Sequence, residues 1–242
     1  MDLIKANMNN LTALWKTGGQ LAGQYIEESN YRISIAGSGA WPNKLWFTKP
    51  FSRQALQDIQ HKWNLNEVSI PIWGECMSKQ EFSMKAIGFE EKLTQVAMSI
   101  TLEKALDHAN RVIIQKVLNG RMAKTWSRLF QEAFGYDISA EMVMKTMKHI
   151  EYFIGKHNGV PIGTAVLFID KCGTAGIHSM GVIPSQRRKG YAEELLIHIL
   201  NEAQMRGHNY VTLQASDMGK GLYLKTDFQE DFIIKTFINR KK

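Results

Sequence analysis

The residues with the plainest chemistry are Arg187-Arg188-Lys189-Gly190-Tyr191-Ala192, three consecutive cations and a glycine at the start of a helix. Apolar Ala192, Leu195, Leu196, Ile199, Leu200 and Ala203 fall at i, i+3, i+4, i+7, i+8 and i+11, one helical face, and Gly207 closes that helix as a C′ residue. A loop without side-chain bulk at Gly190, set on a helix N-terminus, points several backbone N–H groups and the positive end of the dipole at one place. No acid intervenes before Glu193, so that place wants an anion, and a diphosphate fits such a nest of donors. The pattern is not a Walker A loop, which needs Gly-Lys-Ser/Thr after a four-residue gap, nor the Gly-x-Gly-x-x-Gly of a dinucleotide fold.

Elements that must position this loop are legible on both sides. Ile177, Met180 and Val182 with Ile183 suit a buried strand, which Pro184 ends because it offers no backbone donor. Val211, Leu213 and Ala215 read as another strand, and Ser216, Gly219, Leu222, Tyr223, Lys225 and Phe228 follow on a short helix. Upstream, Val112 to Val117 makes a strand closed by the turn signal Asn119-Gly120. Met122 to Phe134 makes a helix ended by Gly135, Ser139 caps a second helix, and two strands turn at His157-Asn158-Gly159. Strand, two helices, three strands, helix, strand, helix, strand is thus the expected order of the second half.

Arg-x-x-Gly-x-Ala, preceded by a strand ending in Val and followed by an amphipathic helix, resembles the acetyl-CoA loop of the GCN5-related N-acetyltransferases (GNAT). Ser216 to Phe228 resembles that family's second motif, and the resemblance covers roughly residues 110 to 242. It implies an α/β fold, a mixed and mostly antiparallel sheet flanked by helices. It also implies acetyl-CoA as cosubstrate and transfer of the acetyl group to a primary amine, small or protein-borne, by direct attack in a ternary complex. The cofactor residues implied are Met180, Gly181, Val182, Arg187, Arg188, Lys189, Gly190, Tyr191, Ala192 and Ser216. Val182 would polarise the thioester carbonyl through its N–H, while Ser216 stands where the family often has an Asn. Tyr223 takes the place of the Tyr that protonates the departing thiolate, and a phenol of pKa near 10 suits a thiol of pKa about 8.5. His178 matches a His that serves as base in the arylalkylamine members; strict period-two alternation would set it on the same strand face as Val182. The acceptor site would be bordered by Trp126, Phe130, Phe134, Tyr136 and Asp137. Each assignment has a plainer counterpart: a packing Tyr, a satisfied strand His, and a helical stripe that is simply core. The rival function is a non-catalytic acyl-CoA-binding or regulatory module.

Composition bounds the rest. A chain of 242 residues, 44% hydrophobic, suffices for one large domain or two small ones. No apolar run reaches the length of a membrane span and Met1 to Asn10 has no signal-like segment, so a cytoplasmic protein without membrane contact is expected. Cys76 and Cys172 lie far apart without metal spacing, so both are expected as free thiols and no metal is expected. The net charge of +7 comes without an RNP motif or zinc-finger spacing; nucleic acid is not an expected partner, and oligomeric state is left open.

In the first half, Leu11, Leu14 and Trp15 begin a helix ended by Gly18-Gly19. Strands are expected at Tyr31 to Ile35, Leu45 to Phe47 and Val68 to Ile72, a helix after Ser52, a short helix at Ser78 to Ala86, and a strand at Leu93 to Ile100. From the helix after Ser52 onward, the order helix, strand, short helix, Gly-Phe, strand copies residues 191 to 240, and Lys85-Ala86-Ile87-Gly88-Phe89-Glu90 echoes Lys225-Thr226-Asp227-Phe228-Gln229-Glu230. The expectation is a tandem: a degenerate GNAT-like domain over residues 1–106 and an acetyltransferase domain over 107–242.

Overall fold

The computed structural model describes residues 2–239 apart from 66 and 108. Its strands are β1 Gly23–Glu27, β2 Tyr31–Ala36, β3 Lys44–Phe47, β4 Ser69–Trp73, β5 Phe89–Thr101, β6 Ile113–Lys116, β7 Glu151–His157, β8 Val160–Ile169, β9 Ala175–Val182, β10 Tyr210–Ala215 and β11 Gln229–Asn239. The helices are α1 Leu3–Ala22, α2 Arg53–Lys62, α3 Met77–Lys85, α4 Gly120–Phe134, α5 Ala140–Thr146, α6 Tyr191–Met205 and α7 Asp217–Lys225. All strands join one mostly antiparallel sheet in the order β1-β2-β3-β4-β11-β5-β10-β9-β8-β7-β6. The last strand of each half therefore lies in the other half's side of the sheet: β5 pairs with β10, and β11 lies between β4 and β5.

Local chemistry accounts for the helix starts. Ser52, Asn119 and Ser139 accept from the N–H three residues on, in Ala55, Met122 and Met142, which satisfies a donor the first turn leaves orphaned. Asn119-Gly120 is thus a cap and first helical residue, not the hairpin turn its composition predicts. The hairpin turn is Asn158-Gly159, both at positive φ. Helix α1 does not stop at Gly18-Gly19 but runs through them to Ala22. A Cβ on Gly18 would fall 2.9 Å from the Trp41 ring and one on Gly19 2.7 Å from the Ser34 Oγ, so these glycines permit close packing instead of breaking the helix. The edge strand β1 escapes the sequence pattern because Gly23, Gln24 and Glu27 are exposed and give no apolar alternation.

Packing divides across the two faces of the sheet. Helix α6 buries Leu195, Leu196, Ile199 and Leu200 against Ile177, Leu213 and Phe153. On the other face α4 and α5 bury Trp126, Phe130, Met142 and Val143 with Leu14 of α1, Tyr152 and Val166. Helix α1 is stitched to the sheet by two buried amides. Asn7 donates to the carbonyls of Met98 and Leu213, and Asn10 to those of Phe168 and Thr174.

Candidate functional site

Strands β9 and β10 run parallel through Val211↔Ala175, Thr212↔Gly176 and Leu213↔Ile177, then part. Beyond that point β10 keeps to β5 and β9 keeps to β8, so a wedge opens between the carboxyl ends of two adjacent parallel strands. Such an opening is where open α/β sheets bind ligands. A bulge in β9, marked by the register shift between Thr164 and Val166 and by Ser179 at φ +49°, turns the strand away from its neighbour.

The basic loop leads from this wedge into α6. Arg188 at φ +60° and Gly190 at φ +82° alternate with their neighbours to form a concave run of amides. The N–H groups of Arg188 through Ala192 have no protein acceptor among the described residues, while those of Glu193 and Glu194 turn back to the Gly190 carbonyl. Arg188, Lys189 and Gly190 are exposed, whereas the Tyr191 ring is buried. Five free donors at a helix N-terminus suit a diphosphate, and no side-chain oxygen caps the helix in its place.

Arg187 is a different case. Its Nε donates to the Val182 carbonyl at 3.0 Å and its Nη2 to the Ala133 carbonyl at 2.8 Å, so it ties β9 to the end of α4 instead of facing a ligand. The cation that takes its place beside the loop is Arg111, which sequence reasoning missed. A Cβ on Gly190 would fall 2.9 Å from Arg111 Nη2. Glu194, 3% exposed, holds that guanidinium through its Oε1 at 2.6 Å and accepts from the N–H groups of Arg111 and Val112 through Oε2. No signal in the sequence marks this, because Glu194 lies opposite the apolar stripe of α6 and its burial depends on Arg111 and Val112, 83 and 82 residues away.

The bulge overturns the face assignment of His178. Val182 packs with Tyr191 and Val112 on the α6 side, whereas His178 lies on the α1 side, because the extra residue in β9 reverses the alternation. There His178 Nε2 is 2.9 Å from Asn10 Oδ1, and since the Asn10 Nδ2 already donates twice, the imidazole is the donor. Burial lowers its pKa from 6.5 to about 4, against a smaller raising by Gln214. A buried, neutral, hydrogen-bonded imidazole is a structural anchor and not a general base. The unfolded chain binds this proton more tightly than the folded one. Stability from His178 is therefore whole above pH 6.5 and lost as pH falls from 6.5 through 4, by on the order of 3 kcal/mol. Unfolding free energies measured by denaturant across that window should show a flatter slope for His178→Gln than for the wild type. Equal slopes would mean that the ring titrates normally.

Ser216 is the N-cap residue of α7 and makes no side-chain cap bond. Gly219 lies against both it and Tyr223: its Cβ position is 3.6 Å from Ser216 Oγ and 3.3 Å from the Tyr223 ring. The Tyr223 ring is buried edge-on to Phe228, with centroids 5.7 Å apart, and its hydroxyl makes no hydrogen bond among the described residues. Burial raises its pKa well above 10, so the phenol stays protonated. In β9, Met180 packs toward the α6 core, and a Cβ on Gly181 would fall 2.8 Å from the Phe134 ring.

Of the expected acceptor residues, Trp126 and Phe130 are fully buried and stacked on each other at 5.2 Å, with Tyr152 edge-on to the indole. They are core and cannot touch a ligand. Phe134 and Tyr136 are exposed at the rim of that stack. Asp137 Oδ1 accepts from the Ala40 N–H at 3.2 Å, and Ser38 Oγ meets Ser139 Oγ at 3.0 Å, so the 37–40 loop of the first half docks on the α4–α5 connection.

Among the described residues no cluster of His, Cys, Asp or Glu could hold a metal ion, and no helix is long and apolar enough to cross a membrane. Residues 118–228 match the family model described as Acetyltransferase (GNAT) family. No curated protein matches the sequence. Among solved structures, a GCN5-related N-acetyltransferase from Kribbella flavida has TM-score 0.73 and 12% identity, covering 98% of this chain and 96% of its own. A functionally unknown conserved protein from Staphylococcus epidermidis ATCC 12228 has TM-score 0.63 and 20% identity, covering 90% and 93%. A GNAT-family acetyltransferase structure from Novosphingobium aromaticivorans DSM 12444 has TM-score 0.61 and 9% identity, covering 99% and 98%. These likenesses show that the fold extends over the whole chain.

Proposed function

Since residues 118–228 belong to the GNAT acetyltransferase family, we propose that this protein transfers an acetyl group from acetyl-CoA to a primary amine at the parting of β9 and β10. The observation that carries the reading is the run of unpartnered N–H groups from Arg188 to Ala192, a fit for the diphosphate of CoA. Arg111, Arg188 and Lys189 add positive charge there, and the pantetheine arm would pass Met180, Gly181 and Ser216. The amine nitrogen attacks the thioester carbon, the C–N bond forms, the C–S bond breaks, and Tyr223 gives its hydroxyl proton to the leaving sulfur. The Val182 N–H is the proposed donor to the carbonyl oxygen. With His178 sequestered, the amine loses its proton to solvent. Exposed Phe134 and Tyr136 favour an apolar or aromatic amine.

The first half is proposed as a degenerate repeat of the second. Its support is the matching design of α3 with β5 and α7 with β11: both helices run nine residues, and Met77 to Asp217 is the same separation as Phe89 to Gln229. A second reading, a non-catalytic acyl-CoA-binding module, is favoured by the burial against Asn10 of His178, the histidine that the resemblance cast as base. A panel of amines incubated with acetyl-CoA, with free CoA thiol followed over time, separates the two. Acetyl transfer predicts thiol release that depends on one class of amine; release no faster than hydrolysis with every amine would support the binder.

A further inference from the structure

Among the described residues the sheet holds one other parallel pair. Strands β3 and β4 meet at Lys44↔Ser69 and then part, as β9 and β10 do. At their parting lies a cleft of about 310 Å³ between the loop after β3, the end of β4 and the start of α3. This cleft lacks the anion nest of the other. No described residue between Gly39 and Gly74 has a positive φ, so the loop after β3 lacks the alternating backbone that turns successive N–H groups toward one diphosphate.

What the cleft offers instead is aromatic and doubly charged. Phe47 and Phe51 stack with centroids 3.9 Å apart, and Trp73 lines the same space. Lys49 and Glu75 stand exposed at its rim, and among the described residues neither has an ion pair or side-chain hydrogen bond. Gln80 also lines the cleft, is only 8% exposed, and makes no side-chain hydrogen bond among the described residues. Its carboxamide is therefore free to donate to or accept from a polar group that enters the cleft. The N-cap residue of α3, Cys76, makes no cap bond either.

We propose that this second cleft binds an aromatic α-amino acid. The ring packs among Phe47, Phe51 and Trp73. The carboxylate faces Lys49 and the uncapped first turn of α3, and the ammonium faces Glu75 and the Gln80 carbonyl. A lone carboxylate would leave Glu75 opposed to the ligand, and a lone amine would leave Lys49 so; the zwitterion answers both. The site does not depend on the acetyl-CoA reading.

Calorimetric titration of the full chain with L-phenylalanine and L-tryptophan, against phenylacetate, phenethylamine and L-alanine, tests it. The aromatic amino acids should bind at least about tenfold more tightly than each of the three analogues, a difference of about 1.4 kcal/mol. Lys49→Glu, at an exposed position, and Trp73→Ala should each weaken that binding about tenfold or more, and Gly190→Val should leave it unchanged. No heat with either amino acid, equal affinity for the single-charge analogues, or indifference to Lys49→Glu would each overturn the proposal. Loss with Gly190→Val would overturn the assignment to this cleft.

Discussion

Gly190→Val should weaken acetyl-CoA binding by at least about a hundredfold, while Arg188→Ala should weaken it less. At φ +82° a β-branched residue is strained by about 1–3 kcal/mol, and the loop must shift to relieve it. The shift has little room, because the new Cβ would meet Arg111 Nη2 at 2.9 Å and Glu194 holds that guanidinium from a buried position. The loop then moves as a unit and its five N–H groups lose their common focus. A hundredfold corresponds to about 2.7 kcal/mol, less than a diphosphate forfeits when several charge-assisted donors turn away. Arg188 is exposed and contributes chiefly its N–H, which alanine retains. Competition against a fluorescent CoA analogue checks both variants. Wild-type affinity in Gly190→Val would remove the loop from the account.

Tyr223→Phe should lower kcat by roughly 10²-fold to 10⁴-fold, the usual worth of a positioned acid, with acetyl-CoA affinity and Tm nearly unchanged. The hydroxyl makes no hydrogen bond among the described residues, so its deletion leaves no orphaned partner there and little change in stability. Burial raises the phenol's pKa, which keeps the proton on it at every working pH; the same dry surroundings raise the pKa of the thiolate that takes it. The test is kcat on whichever amine the panel identifies, beside thermal melting. Unchanged turnover would make Tyr223 a packing residue like Phe228.

How far the sequence reached depended on whether a feature is local. The Gly190 loop, the caps at Ser52 and Ser139, and the Asn158-Gly159 turn are set by residues within a few positions of each other, and all stand where pattern and turn chemistry put them. The β9 bulge is not local. Nothing in Ser179-Met180-Gly181 announces an extra residue, yet that residue reverses the alternation and moves His178 behind α1. The long reach of α1 was hidden for a related reason. Asn7 and Asn10 read as polar surface residues, and only the carbonyls of Met98, Leu213, Phe168 and Thr174, brought from distant strands, make their burial sensible. The aromatic stripe of α4 split into buried Trp126 and Phe130 and exposed Phe134, a division that helical periodicity alone does not report. Likewise β5 and β11 were legible as strands, but alternation says nothing about which half supplies their partners.

The measurement that bears most directly on the account is the stoichiometry of acetyl-CoA on the whole chain by calorimetric titration. One site per chain is expected, at the parting of β9 and β10, since the described loop after β3 lacks the positive-φ alternation of Arg188 and Gly190 that gathers five free donors in the other. Two equal sites per chain, or none, would contradict it.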